Sequence, residues 1–593
     1  MGNQLQKSSQ IFPVEHYIQD PGFKIAATGL PEITFHSNLG STRFFKVAKC
    51  DSDAGPVVVK VFVIHDPNNE LESRRDRLRE LRDTLAPTFN CLPFSTAILT
   101  EKAGFVIRQF GKYSLYDRIS TRPFLTNLEK RWLAFQLLLA VEQCHRLGVC
   151  HGDIKLENIM VSSWSWLTLT DFASFKPTFL PEDNPADFSY FFDTSRRRVC
   201  CIAPERFVSR VSVSESVTQL PSVAGPGPDT VAAEAEAQLV PSMDVFSVGC
   251  CIGELFTDGI PVFDFSQMLE FRVGKFSPDK ILDKIEDENV RNLVSHMINK
   301  EPGSRLTVEE YLKQERGKVF PEDFYTFLQP YIGMFSRPPL MSSDQKVQRI
   351  HKDLSHYESL MASADPSQKI EPGSLLIVAN VVISCVRSLR LTTSQMACLD
   401  ILQWLSSKLS SEVILERLLP QIIHFLSTSS SHPPEPLHPP TVTAHAVSVL
   451  VACLGHVSHV PRSDANTFPE YILPVVSPLT RLQGEASVGV RYAVARHLAS
   501  IAALSTSWLD MIVSSCPPGQ AATDYHRELS TLHKIVEAYV TTLLEDQKNS
   551  VKQVLVTESA AKLAVWLGRQ KANDVLLSHM ITFLNDKEDS HLR

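Results

Sequence analysis

The sequence predicts an α+β, two-lobed domain followed by an α-solenoid of short helical repeats. Apolar residues first recur in alternation or in short β-branched runs, and after about residue 372 they recur at helical spacing over long stretches. Length adds a third observation. At 593 residues the chain exceeds the ~250–300 at which a single core stops growing, so at least two domains are expected. Charged residues at 21% and the hydrophobic set at 44% exclude a mostly disordered or fibrous chain. Lys plus Arg number 58 against 66 Asp plus Glu, a net charge of -8, so there is no whole-chain basic field and no nucleic-acid partner is expected. The twelve cysteines lack any C-x-x-C spacing, which points away from a zinc array or a disulfide framework and towards buried thiols in a reducing, cytoplasmic compartment. The most apolar stretch, 375–386, is too short for the ~20 residues of a membrane span.

Residues 1–24 form an N-terminal segment that opens Met1-Gly2. Removal of the methionine exposes the Gly2 amine, a candidate for myristoylation, although Gln6 stands where the pattern has Ser or Thr. One such chain binds membranes marginally and reversibly, so a second anchor or a membrane-bound partner is required.

The first domain is expected over 25–325. Residues 33–110 read as β-rich, with Val57-Val58-Val59-Lys60-Val61-Phe62 as a strand, and 70–85 places Leu71, Leu78, Leu81 and Leu85 on one helix face. Thr126 and Glu129 form a capping box before a long buried helix at 131–147. The Ser, Val, Pro, Ala and Glu mixture at 209–240 supplies no core and is expected to be a mobile insertion. Linker helices are expected at 326–371 and incomplete repeats at 372–593. Helix pairs recur there, 469–479 with 490–504 and 535–544 with 551–567, about every 40 residues. Pro474 and Val490-Arg491-Tyr492-Ala493 look like the proline of a HEAT first helix and the opening of its second; an irregular helical bundle is the alternative. The last repeat shows one helix at 574–584 and only the opening of a second, so 593 is expected to be an early stop in a longer architecture.

The chemistry lies in three blocks. His151-Gly152-Asp153-Ile154-Lys155-Leu156-Glu157-Asn158, Asp171-Phe172-Ala173 and Ala203-Pro204-Glu205 match, in order, the H-R-D-x-x-x-x-N loop, the D-F-G metal site and the A-P-E segment end of protein kinases. The fold class becomes an α+β protein-kinase-like bilobal domain followed by HEAT-like repeats, with no WD40 propeller in this chain. Asp244-Val245-Phe246-Ser247-Val248-Gly249 resembles the helix start beneath the catalytic loop, and Arg305 sits where kinases supply a partner for Glu205. Phosphoryl transfer asks a protein mainly to position groups and neutralise charge. Lys60 is assigned to the α and β phosphates and to a helix glutamate, with Glu80 chosen among Glu70, Glu72 and Glu80. Asp153 receives or orients the substrate hydroxyl proton beside Lys155, while Asn158 and Asp171 supply the hard oxygen ligands that suit Mg²⁺. Leu39, Gly40, Ser41, Thr42 and Val47 complete the site for ATP or another purine nucleotide.

Departures matter as much. Gly40-Ser41-Thr42-Arg43-Phe44-Phe45 keeps only the first glycine of G-x-G-x-x-G, so side chains obstruct close backbone approach to phosphates and nucleotide binding should be weak or unusual. Gly152 replaces the arginine that grips a phosphorylated activation loop, and Ala173 replaces a glycine. Arg196-Arg197-Arg198 reads as a solvated face or as a clamp for an acidic or phosphate-bearing partner.

Together with Met1-Gly2, Leu39-Gly40-Ser41-Thr42-Arg43-Phe44-Phe45-Lys46-Val47 and Asp193-Thr194-Ser195-Arg196-Arg197-Arg198, these variants make the sequence resemble the regulatory subunit 4 family of the class III phosphatidylinositol 3-kinase, the vacuolar protein sorting protein kinases. The resemblance implies N-myristoylation and an atypical serine/threonine kinase domain. It also implies a scaffold for the lipid kinase catalytic subunit and a Beclin-type subunit, peripheral on endosomal, late endosomal and autophagic membranes. Two functions stay open: a regulatory, scaffolding and weak kinase, or a catalytically inactive pseudokinase scaffold that anchors the lipid kinase.

Overall fold

In the computed structural model, the described residues are 12–27, 30–41, 45–64, 71–172, 176–193, 197–209, 238–337, 339–365, 367–431, 433–461, 466–514 and 522–585. Gly2, Thr42, Ala173, Arg196 and residues 210–237 of the insertion expected at 209–240 lie outside them. The chain divides into two compact units, Met1–Gly333 and Met334–Arg593.

The first unit begins with a five-stranded antiparallel sheet, in the order Ile33–Ser41, Lys46–Ser52, Val57–Val63, Ala103–Gln109, Thr96–Leu99. Its register lines up Gly40 opposite Val47, Val47 opposite Lys60 and Lys60 opposite Val106. Because side chains alternate along a strand, Arg108 shares the face of Val106 and Lys60. The opposite face is apolar: Ala48, Cys50, Val59, Val61, Phe105 and Ile107 form a core with Val14, Tyr17, Ile18 and Phe23 from the short helices Val14–Ile18 and Pro21–Ala26. The domain therefore starts near residue 14, not 25, because these four side chains cover a sheet face that would otherwise be wet.

A capping box of Thr126 and Glu129 starts the helix Asn127–Arg146, whose Trp132, Leu133, Phe135, Leu138 and Val141 are almost wholly buried. A four-stranded sheet, Cys91–Leu92, Leu167–Thr170, Ile159–Val161 and Tyr113–Ser114, carries the catalytic-loop and metal-loop motifs at its strand ends. Beneath them the helix Pro241–Phe256 is buried from Met243 to Phe256.

The second unit is helical. Ser343–Lys352, Thr392–Ser406, Pro440–Gly455 and Val488–Ser514 pack in sequence, each against the next, and hydrogen bonds between neighbours recur at separations of 45 to 50 residues: His445 with Asp400, Gln348 with Ser394, Ser448 with His497, Ser406 with His456. That nearest-neighbour stacking is the pattern of a solenoid. Part of the expected linker at 326–371 belongs to it, because Ser343–Lys352 buries Val347 and Ile350 and packs on Leu375–Cys385 and Thr392–Ser406. Among the described residues, no helix is long and apolar enough to cross a membrane. The eleven described cysteines are free, ten of them buried.

Three helices tolerate proline near a widened turn. The π turns Phe324–Leu328, Ile414–Leu418 and Phe468–Ile472 each end two residues before a proline: Pro330, Pro420 and Pro474. A proline removes one backbone donor and crowds the carbonyl four residues earlier, and a wider turn accommodates both defects.

Candidate functional site

Asp171 and Asp153 anchor the cleft, and both are enclosed by cations. Asp171 follows the strand Leu167–Thr170 with a φ of 63°, in the left-handed region. Its carboxylate pairs with Lys60 Nζ at 2.9 Å and with Arg108, whose Nε and Nη2 reach Oδ1 and Oδ2 at 3.1 and 3.3 Å. Burial pushes the Asp171 carboxyl up, but Lys60 and Arg108 outweigh it and hold the group well below the usual carboxylate range. Asp153 pairs with Lys176 at 2.6 Å and Lys155 at 3.3 Å, and its Oδ2 accepts from Asn158 Nδ2 at 3.0 Å. Burial again opposes ionisation there, and the two lysines win. His151 orients this loop: its Nε2 bonds Thr170 O at 2.9 Å and its Nδ1 accepts from the Asp153 N–H at 3.2 Å. That pairing calls for a neutral ring protonated on Nε2, in keeping with the burial that lowers its pKa.

The structure thus brings together Lys60, Asp171, Asp153, Lys155 and Asn158 as the motifs predict. Glu80 does not join them. The helix Leu71–Leu85 buries Leu78 and Leu85, and Glu80, two residues past Leu78, points about 200° away from it into solvent. Glu72 is exposed too, and Lys60 takes Asp171 as its ion-pair partner. In the glycine loop, Gly40 adopts a φ of 116° and its N–H bonds the Asn38 side chain at 2.8 Å, Ser41 ends the first strand, Leu39 is exposed, and Val47 sits opposite Lys60.

Three residues that the sequence did not single out close the site. Besides Arg108, Lys176 lies over the Phe192 ring at 5.0 Å while holding Asp153. Lys155 donates to Phe192 O at 2.6 Å, and the helix Pro185–Phe191 buries Phe188 beside it. A small cavity of about 10 Å³, enough for one water, adjoins Asp153 and is lined by Lys155, Phe188 and Phe192. Arg206, 2% exposed, donates to Gly152 O at 2.6 Å, Thr178 O at 2.7 Å and Pro177 O at 3.1 Å, so it ties the activation segment to the catalytic loop without any phosphate. Arg197 is likewise engaged inside the protein, bound to Glu157 and Glu254 and stacked on Tyr116.

The backbone at Gly152 disfavours a side chain. Gly152 holds a φ of 78°, and a Cβ there would meet Leu239 Cδ1 at 2.6 Å. Gly152→Ala is expected to destabilise the protein by about 1–2 kcal/mol, the usual penalty for a side chain in that region; an unchanged urea midpoint would refute it.

Lys176 gives a pH signature. Burial, helped by Lys155 and Lys60, pushes its ammonium down to about 8 against the pull of Asp153. Between about 8 and the ordinary 10.5 the unfolded chain keeps a proton that the folded protein has released, so this group makes stability rise with pH across that window. The stability difference between wild type and Lys176→Met should shift in favour of wild type from pH 8 to 10. A constant difference would sink the assignment.

A cleft between an antiparallel sheet and a helical lobe, floored by these three blocks, defines a protein kinase domain, and residues 33–186 match that family. Residues 378–593 match the family described as "PIK3R4-like, middle domain". Similarity along nearly the whole of this chain runs further: a VPS15 kinase of Komagataella pastoris is 33% identical over 596 residues, covering 94% of this chain and 42% of the relative. The serine/threonine-protein kinase VPS15 of Arabidopsis thaliana is 30% identical over 99% of this chain and 45% of its own length, and that of Saccharomyces cerevisiae 29% over 93% and 42%. The chain is homologous along nearly its whole length to serine/threonine-protein kinases of the VPS15 type, and it spans less than half the length of these relatives.

Kinase domains as a class use ATP with Mg²⁺. The Asp171 carboxylate as it stands does not suit the ion, because both its oxygens are capped by cations; Asn158 donates its N–H₂ to Asp153, which leaves its carbonyl oxygen as the donor that would face a metal.

Proposed function

We propose that this chain is the regulatory and scaffolding member of a class III phosphatidylinositol 3-kinase assembly, with a purine-nucleotide site whose phosphoryl transfer to serine or threonine is held low. One observation carries the second half: Asp153, the group that must meet the substrate hydroxyl, is ion-paired to Lys176 at 2.6 Å and walled off by Phe192. Transfer requires the segment around Lys176 and Phe192 to withdraw, leaving Asp153 to orient the hydroxyl and Lys155 to face the moving phosphoryl group. The family resemblance and the stacked helices support the scaffold half. The lipid kinase catalytic subunit and a Beclin-type subunit are the proposed partners, and Gly2 is the proposed myristoyl anchor on endosomal, late endosomal and autophagic membranes from the cytoplasmic side. Co-purification from cells with mass spectrometry tests this reading: lipid-kinase subunits and an acylated Gly2 are expected together, and recovery of neither would overturn it.

The active-kinase reading is favoured by one fact, that Lys60, Asp153, Lys155, Asn158 and Asp171 converge in one cleft. γ-Phosphate transfer that Asp153→Asn abolishes is the result that would support it.

A further inference from the structure

Two carboxylates of the cleft are each held by a pair of cations, Asp171 by Lys60 and Arg108 and Asp153 by Lys155 and Lys176. Arg108 is the unusual member. It lies on the strand Ala103–Gln109, beside the central strand that carries Lys60 and on the same face, and is 6% exposed. A guanidinium stays charged at any working pH, and its planar fork matches the two oxygens of Asp171. A divalent cation approaching Asp171 meets two like charges already seated on both oxygens. A polyphosphate approaching the same place meets the two cations of Lys60 and Arg108.

We propose that this site holds the triphosphate of a nucleoside triphosphate without a divalent cation, Arg108 and Lys60 neutralising the charge that a metal ion neutralises in other kinase clefts. The proposal rests on the nucleotide site argued above and deepens it. Asp171 then serves as a tether that keeps Arg108 and Lys60 side by side, and the phosphate oxygens bind the donors these cations have left over. Arg108 spends its single Nε N–H and one Nη2 N–H on Asp171 and one Nη1 N–H on the Gln109 carbonyl, at 3.1 Å, which leaves one donor on each Nη nitrogen.

The test is equilibrium binding of ATP, and separately of inorganic tripolyphosphate, to the full chain in excess EDTA and in millimolar Mg²⁺. The wild-type Kd for ATP is expected to agree within about threefold between the two conditions. Arg108→Met is expected to weaken binding in EDTA at least tenfold and to make it Mg²⁺-dependent, because Asp171 is then open to the ion; Arg108→Lys should retain part of the metal-free affinity. A wild-type Kd that tightens tenfold or more on adding Mg²⁺ overturns the inference even if Arg108→Met fails to fold. No ATP binding in either condition overturns the nucleotide site itself. Tripolyphosphate binding as tightly as ATP would show that the cleft selects polyphosphate and would overturn the nucleoside assignment.

Discussion

Glu205→Ala is expected to lower the unfolding free energy of the first unit by on the order of 3–5 kcal/mol, the cost of stranding a buried charge. The Arg305 side chain has no solvent exposure, and it forks onto Glu205 with Nη1 to Oε1 at 2.7 Å and Nη2 to Oε2 at 3.0 Å. Three carbonyls also take its donors: Asn299 O, Ser242 O and Lys300 O, at 2.7, 2.9 and 3.2 Å, and the guanidinium lies 4.9 Å from the centre of the Phe246 ring. These contacts hold the arginine in place when the glutamate is gone, so it cannot swing out to water. Replacing both partners, Glu205→Leu with Arg305→Met, should recover only part of the loss, since the three carbonyls are left unpaired. Urea unfolding with an unchanged slope and a shifted midpoint reads the effect; an unshifted midpoint in Glu205→Ala would mean that the pair contributes nothing.

Asp546→Ala should cost the helical unit a similar amount, about 3–5 kcal/mol. Arg491, 5% exposed on the helix Val488–Ser514, bonds Asp546 Oδ2 at 2.6 Å and Oδ1 at 3.4 Å and donates to Leu482 O at 2.8 Å. The same carboxylate accepts the Lys548 N–H at 2.8 Å, just before the helix Asn549–Val554. One aspartate therefore satisfies a buried cation and fixes the entry to the next helix. The arginine of Val490-Arg491-Tyr492-Ala493 is in this way a connector between successive repeats, which explains why a charge sits among apolar neighbours. Hydrogen exchange should accelerate across 473–567 in Asp546→Ala while the first unit stays protected; uniform protection would contradict the role.

Much of the site was legible because its groups lie within short stretches of chain. His151 to Asn158 and Asp171-Phe172 carry their chemistry in fixed local spacing, and the pair Glu205 with Arg305 followed from the same frame. Groups that meet only through the fold were not legible. Arg108 reads in sequence as one polar residue at the end of an apolar strand, and nothing local shows that it meets Asp171, 63 residues on. Lys176 sits in irregular chain with no period to interpret, and Glu80 was misassigned because helix periodicity gives relative faces and not the face that meets the cleft. Domain limits failed for a related reason: the apolar residues of 14–23 are too few to announce a core, yet they complete one supplied by distant strands.

Lys176, ion-paired to Asp153 and packed on Phe192, is proposed to hold the catalytic carboxylate out of use. Transfer of labelled γ-phosphate by the full chain, wild type beside Lys176→Met, tests it most directly. Wild type should turn over well below the 1–100 per second of ordinary kinases, and Lys176→Met should raise the rate at least tenfold, with Asp153→Asn abolishing the gain. Wild-type turnover within the ordinary range, unchanged by Lys176→Met, would contradict it.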